Sequence, residues 1–178
     1  VVQVGVDHIR FHHLQGSNIV SKCPEYIKGK RQGIVQPFMC VGWCAEGRPV
    51  IGTHDGHLYE FDPETKFSIR NIVQAHSSTV NGNEIHAAHR SNDKKHIAIA
   101  DAFGQIKVYR YPCLDKRAKF ASGFGIASHA SNIRWSKDDR YIIVTGGRDR
   151  TVLVWRVDEL IAKSSGSSDS ESSKTSEK

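Results

Sequence analysis

The last third of the chain contains side-chain types that could act together in catalysis. His129, Thr145 and Asp149 precede Trp155, with a Gly-Gly pair between the threonine and the aspartate. An Asp–His–Thr set can activate a hydroxyl as a nucleophile if that hydroxyl opens into a cleft beside an oxyanion site. The same types can instead form structural hydrogen bonds, because donors and acceptors alternate and each buried polar group finds a partner. The elements that carry these residues decide between the two roles.

The chain repeats one strand–turn–strand pattern. A short β-branched or apolar strand is followed by a turn with Gly or Asp, and a second strand then ends near an aromatic residue or a histidine. Apolar and polar residues alternate with a period of two in TVLVWRV and GQIKVYR, which indicates strands. The copies are VVQVGVDHIRFHHL, RPVIGTHDGHLYEFD, KHIAIADAFGQIKVYRYP and RYIIVTGGRDRTVLVWRV, with end residues His12, Phe61, Tyr109 and Trp155. Their spacing predicts an all-β fold of about three and a half four-stranded propeller blades.

Length and composition allow one globular unit followed by a tail. The 178 residues are 38% hydrophobic, which is enough for a sizeable core, and no apolar run is long enough to cross a bilayer. We expect a propeller segment at 1–162, with blades at about 1–35, 36–80, 81–125 and 126–160. Residues 163–178 are serine-rich and lack the apolar side chains that would offset the entropy of ordering, so this tail is predicted to be disordered.

The last repeat resembles a WD-repeat blade. The match lies in SHASNIRWSKDDRYIIVTGGRDRTVLVW, where tryptophan ends the third strand. The resemblance implies that His129, Thr145, Asp149 and Trp155 share one structural hydrogen-bond network, and it favours a protein that is not an enzyme. The other blades depart from this pattern: Phe61 and Tyr109 replace the tryptophan, and Phe103 replaces the aspartate.

A narrower resemblance extends over most of residues 1–157. GVDHIRFHHLQG, PFMCVGW, GTHDGHLYEFD, ADAFGQIKVYRYPC and the His-Ala-Ser-Asn blade are similar to the echinoderm microtubule-associated protein-like family. This implies a piece of a larger pair of joined seven-bladed propellers, which binds microtubules or tubulin in the cytoplasmic cytoskeleton without catalysis. The family's N-terminal coiled coil is not present here, and its usual blades between QAHSSTV and NEIHAAHR are missing around residues 80–83. An incomplete ring exposes an edge, which predicts self-association.

Basic loops are the candidate partner-binding sites. The net charge is +6, and clustered cations on rigid loops would attract the acidic tails of tubulin. A nucleic-acid partner is disfavoured because the basic residues are not interleaved with aromatic residues, and no membrane partner is expected. The alternative function is a general WD-repeat adaptor that docks peptides or proteins in a signalling or ubiquitin-ligase complex. The candidate residues are Lys28, Lys30, Arg31, Lys94, Lys95, Lys116, Arg117 and Lys119.

Neither a metal nor a cofactor is predicted. His86 and His89 are three apart on a strand and would point to opposite faces, whereas His54 and His57 flank a turn without a full ligand set. No phosphate-binding glycine motif surrounds the Gly-Gly pair. The cysteines show no secreted disulfide spacing, and Cys40 is expected to be a small buried thiol in a reducing cytosol.

Overall fold

The structure is a computed structural model that describes residues 1–6, 8–23, 37–43, 47–62, 68–74, 84–112 and 118–159. Its strands form antiparallel sheets in which neighbours in the chain are neighbours in the sheet. Sheet 1 contains β1 (Val2–Gly5), β2 (His8–Gln15) and β3 (Asn18–Lys22). Sheet 2 contains β4 (Phe38–Trp43), β5 (Pro49–Thr53), β6 (His57–Asp62) and β7 (Ser68–Gln74). Sheet 3 contains β8 (Ile85–Arg90), β9 (His96–Asp101), β10 (Gln105–Arg110) and β11 (Phe120–Phe124), and sheet 4 contains β12 (Ala130–Trp135), β13 (Tyr141–Gly146) and β14 (Val152–Arg156).

The sheets pack face to face in chain order, and an apolar cluster fills each gap. Ile9, Phe11 and Phe61 belong to the cluster between sheets 1 and 2. A second cluster joins sheets 2 and 3, and the largest joins sheets 3 and 4. Contacts of β4 with β8 and of β8 with β12 bring the first strands of sheets 2 to 4 together along one side of the stack, and β1 of sheet 1 contacts β4. Within the described ranges only 157–159 are α-helical, which confirms the predicted all-β class.

Burial follows from the position of each sheet in this stack. Sheet 3 has a neighbour on both faces, and accordingly the central residues of β9 and β10 are buried without alternation. Sheet 4 packs on one face only, so Ile133 and Trp135 are buried whereas Asn132 and Arg134 are exposed. A continuous run of apolar residues therefore marks a strand of an inner sheet, whereas alternation marks a strand of an outer sheet.

Equivalent turns in sheets 3 and 4 share one hydrogen-bond pattern. The hydroxyl of Ser91 donates to the carboxylate of Asp93, and Ser136 donates to Asp138, both at 2.6 Å. These bonds are the main cause that lowers the pKa of each aspartate. Both turns close with a main-chain N–H bonded back to the serine hydroxyl.

Asp139 joins these two turns across the gap between the sheets. Its carboxylate accepts hydrogen bonds from the main-chain N–H groups of Asn92 and Asp93, both at 2.7 Å, and from Asn92 Nδ2 at 2.9 Å. Asp139 has a positive φ of 56°, a conformation that aspartate tolerates better than most residues. The turns at 91–95 and 136–140 are thus held together at one end of the stack.

Candidate protein-interaction surfaces

Asp149 occupies the turn between β13 and β14 and organises the loop that precedes β12. Its carboxylate accepts hydrogen bonds from Ala127 N at 3.0 Å, from Ser128 Oγ at 3.2 Å and from Thr151 Oγ1 at 3.0 Å. Burial opposes ionisation, but these hydrogen bonds together lower the pKa of Asp149. The carboxylate is therefore ionised and engaged in structure, which is unlike a base poised to accept a proton.

The other members of the expected network are not joined to one another. Thr145 pairs with Val152 across the hairpin, whereas Trp155 pairs with Ile142, so their side chains lie on opposite faces of sheet 4. The Thr145 hydroxyl lies 2.9 Å from the hydroxyl of Ser131. Trp155 Nε1 is buried and has no hydrogen-bond partner in the described part of the chain. The structure thus separates Thr145 from Trp155, and a shared network of four residues stays a prediction.

His129 lies in a row of polar side chains that crosses three sheets. The His129 ring is 5.4 Å from the ring of His86, centroid to centroid. Glu84 bridges two histidines, with Oε2 at 2.9 Å from His86 Nε2 and Oε1 at 2.6 Å from His54 Nδ1. Sequence reasoning missed Glu84, because this bridge depends on how sheets 2 and 3 pack. Across the described ranges no group of three or more His, Cys, Asp or Glu side chains is arranged to hold a metal ion.

The environments of His89 and Cys40 indicate structural roles for both side chains. His89 Nδ1 accepts the main-chain N–H of Trp135 at 3.1 Å, and the main-chain oxygen of His89 accepts Trp135 Nε1–H at 2.9 Å. Burial lowers the pKa of His89, and the charges of Arg134 and Arg90 lower it further, which keeps this ring nitrogen available as an acceptor. Burial also raises the pKa of the Cys40 thiol to about 12, so this cysteine is not an activated nucleophile.

A cavity of about 650 Å³ opens where the 147–150 turn of sheet 4 meets the 102–104 turn of sheet 3. It lies at the opposite end of sheet 4 from the 136–140 turn, because β13 connects the two turns. The cavity is lined by Ala102, Ala127, Ser128, His129, Arg148 and Asp149. Thr145 does not line it, so the hydroxyl of the proposed Asp–His–Thr set does not face this opening.

The other end of the stack is basic. The turns at 91–95 and 136–140 lie there, and so do the end of β10 and the start of β11, because β10 is antiparallel to both β9 and β11. We define the basic end by its exposed cations, which are Lys94, Lys95, Arg110, Lys119, Lys137 and Arg140. Of these six cations, the sequence analysis had predicted Lys94, Lys95 and Lys119 as partner-binding residues. Lys137 and Arg140 were missed because Asp138 and Asp139 sit beside them. Both carboxylates accept turn hydrogen bonds, and Asp138 Oδ2 also lies 3.8 Å from Arg140 Nε.

Several of the predictions made from the sequence concern residues outside the described part of the chain. These are the candidate cations Lys28, Lys30, Arg31, Lys116 and Arg117, the junction at 80–83 and the tail at 163–178. In the described part of the chain, no helix has the length and hydropathy needed to span a membrane.

The stacked antiparallel sheets define the class of this protein as a partial WD-repeat β-propeller. One chain of the crystal structure of a mitotic checkpoint complex superposes with a TM-score of 0.61 over 86% of this chain and 47% of that chain, at 14% sequence identity. This likeness concerns the fold alone. No family model matches the sequence.

Sequence comparison gives a more particular result. The chain is 41% identical over 81 residues to human echinoderm microtubule-associated protein-like 2, and 34% identical over 92 residues to echinoderm microtubule-associated protein-like 4 of Xenopus laevis. The mouse echinoderm microtubule-associated protein-like 3 is 34% identical over 94 residues. The matches cover 46%, 52% and 53% of this chain but only 12%, 10% and 10% of those proteins. The chain is therefore similar to a small part of proteins of this family, as the sequence motifs predicted.

Proposed function

We propose that this chain is a non-catalytic WD-repeat scaffold that binds tubulin or microtubules at the cytoskeleton through its basic end. The observation that carries the proposal is the concentration of exposed cations on the turns at 91–95 and 136–140 and beside them. The neighbouring carboxylates of Asp93, Asp138 and Asp139 accept hydrogen bonds from the turns themselves. In the described part of the chain the exposed side chains of Lys94, Lys95, Lys119 and Lys137 form no ion pair, so they can contact an acidic partner, and the names of the similar proteins make tubulin the first partner to test.

Binding of this kind should depend on charge and on salt. Because exposed charges are screened within about 8 Å at physiological ionic strength, pelleting with stabilised microtubules should weaken as salt rises. Removing the acidic tubulin tails with subtilisin should abolish pelleting. A chain that fails to pellet with intact microtubules at low salt would contradict the proposal and would favour the peptide-docking adaptor.

Paired charge variants locate the binding surface. The double variant Lys95→Gln/Lys137→Gln should lower microtubule affinity about three- to tenfold. Each lost contact at a partly screened surface contributes a fraction of about 1 kcal/mol to the binding free energy. The matched control is Lys22→Gln/Arg150→Gln, which removes the same charge from two exposed residues outside the basic end. Equal loss of co-sedimentation by both doubles would mean that net charge, and not the basic end, governs binding.

We also propose that the chain self-associates through the face of sheet 4 that points away from sheet 3. This outer face of sheet 4 exposes Val152 and Val154 at 63% each, and Tyr141 and Ile143 at 38% each. Among the described strands β14 is also the outermost of its sheet, so its edge can pair with another strand. An apolar stripe beside an open strand edge favours a second copy of the same surface.

Sedimentation velocity over a range of concentrations tests this second proposal. The wild-type chain should show concentration-dependent association, and Val152→Lys/Val154→Lys should shift it to monomer. Leu14→Lys/Ile19→Lys is the control, because these two neighbouring residues of sheet 1 are 77% and 69% exposed and lie on a different sheet. A wild-type chain that sediments as a monomer at every concentration would refute self-association.

A further inference from the structure

The cavity between sheets 3 and 4 is lined by a cation without a partner and by an imidazole. Within the described residues, the Arg148 guanidinium has neither a hydrogen bond nor an ion pair, although its main-chain N–H donates to Ser128 Oγ at 3.2 Å. His129 lines the same cavity, and a Cβ at position 147 would collide with its ring, so Gly147 is what lets the ring lie there. The walls therefore hold an unpaired positive group and an imidazole close together.

The chemistry of the walls favours a singly charged anion. Asp149 also lines the cavity, and its ionised carboxylate already accepts three hydrogen bonds. A dianionic phosphate would meet this negative charge, whereas a carboxylate can pair with the Arg148 guanidinium and keep its single charge farther from Asp149. A volume of about 650 Å³ is within the range of sites that bind small groups or peptide side chains.

The rim of the cavity supplies apolar surface. Ala102 and Ala127 are lining residues, and Phe103, the next residue in the 102–104 turn, is 57% exposed. The Phe103 turn is held by Asp101, whose Oδ1 accepts the main-chain N–H groups of Phe103 at 2.9 Å and Gln105 at 2.7 Å. An exposed aromatic side chain on a turn with a fixed main chain, close to a cation, is suited to bind an apolar residue that neighbours an acidic one.

From these features we propose that the inter-sheet cavity binds the carboxylate of an acidic side chain within an extended peptide segment of a partner protein. Arg148 forms the ion pair, His129 provides a ring N–H, and Phe103 packs against the apolar neighbour of the acidic residue. This site is at the opposite end of sheet 4 from the basic end and does not depend on tubulin binding.

Fluorescence anisotropy with three labelled peptides tests the proposal on the full 178-residue chain. The probe is Gly-Ser-Leu-Glu-Leu-Ser-Gly, compared with versions that carry glutamine or phosphoserine in place of glutamate. The glutamate peptide should bind at least about tenfold more tightly than the glutamine peptide, which corresponds to one charge-assisted contact. Equal binding of these two would overturn the site, and tighter binding of the phosphoserine peptide would overturn its assignment to carboxylates.

Variants assign the contacts. Arg148→Gln should remove the preference for glutamate over glutamine, whereas Arg150→Gln, in the same turn but outside the cavity lining, should retain it. Phe103→Ala should weaken binding of both peptides about equally. If a variant does not fold, the wild-type chain can be titrated with the glutamate peptide and followed by NMR. The amide signals of 127–129 and 148 should shift most. Shifts confined to other residues would overturn the proposal.

Discussion

Replacing Trp135 with alanine is expected to lower the free energy of unfolding by about 3–5 kcal/mol. Trp135 ends β12, is 6% exposed and belongs to the apolar cluster between sheets 3 and 4. Its indole N–H also bonds to the main-chain oxygen of His89 in the neighbouring sheet at 2.9 Å. The substitution leaves a cavity and removes a hydrogen bond between the sheets at the same place, and both effects destabilise the packed pair of sheets.

Urea unfolding followed by far-ultraviolet circular dichroism measures this loss without relying on tryptophan fluorescence. Trp43→Ala is the matched control, because Trp43 ends β4, the first strand of sheet 2, but is 50% exposed. We expect this control substitution to lower the free energy of unfolding by less than about 1.5 kcal/mol. Similar losses for the two variants would show that the gap between sheets 3 and 4 is not the packed core inferred here.

Gly104→Ala is expected to lower the free energy of unfolding by about 3 kcal/mol or more. Gly104 has a φ of +75°, and an added Cβ would collide with the main-chain oxygen of Ile126 and lie 2.8 Å from that of Ser128. Main-chain atoms of a neighbouring segment cannot move aside as a flexible side chain can, so overpacking adds to the cost of the left-handed conformation. The displaced segment also carries Ala127 and Ser128, which line the inter-sheet cavity.

Gly16→Ala separates these two contributions. Gly16 has a φ of +63°, yet nothing lies within 4 Å of an added Cβ, so only the backbone term of about 1–2 kcal/mol applies. The difference in chemical-denaturation midpoints between the two variants therefore reports the collision alone. Equal midpoints would contradict the close approach of the 104 turn to the 126–128 segment.

The all-β class and the order of strands could be predicted because both depend on local patterns. The two-residue alternation in TVLVWRV is preserved in β14, where Leu153 and Trp155 are partly buried and their neighbours are exposed. Turns at residues such as Gly56 and Gly104 have the positive φ that glycine accommodates most readily. These properties involve residues close in the chain, and the sequence displays them directly.

The arrangement of side chains on different strands could not be predicted in the same way. Thr145 and Trp155 have the spacing of a WD-repeat network, yet the register of the β13–β14 hairpin places them on opposite faces. Whether a hydroxyl and an indole meet thus depends on a pairing that spacing alone does not specify.

Residue types and periodicity determined the strands, the hairpins and the likeness to a WD-repeat family, because each depends on near neighbours in the chain. Only the tertiary structure placed Glu84 between His54 and His86, joined the 91–95 turn to Asp139, and left the Arg148 guanidinium beside a cavity. These features arise where one sheet packs on the next, and the distances between such residues are set by the packing of the sheets and not by their separation in the sequence.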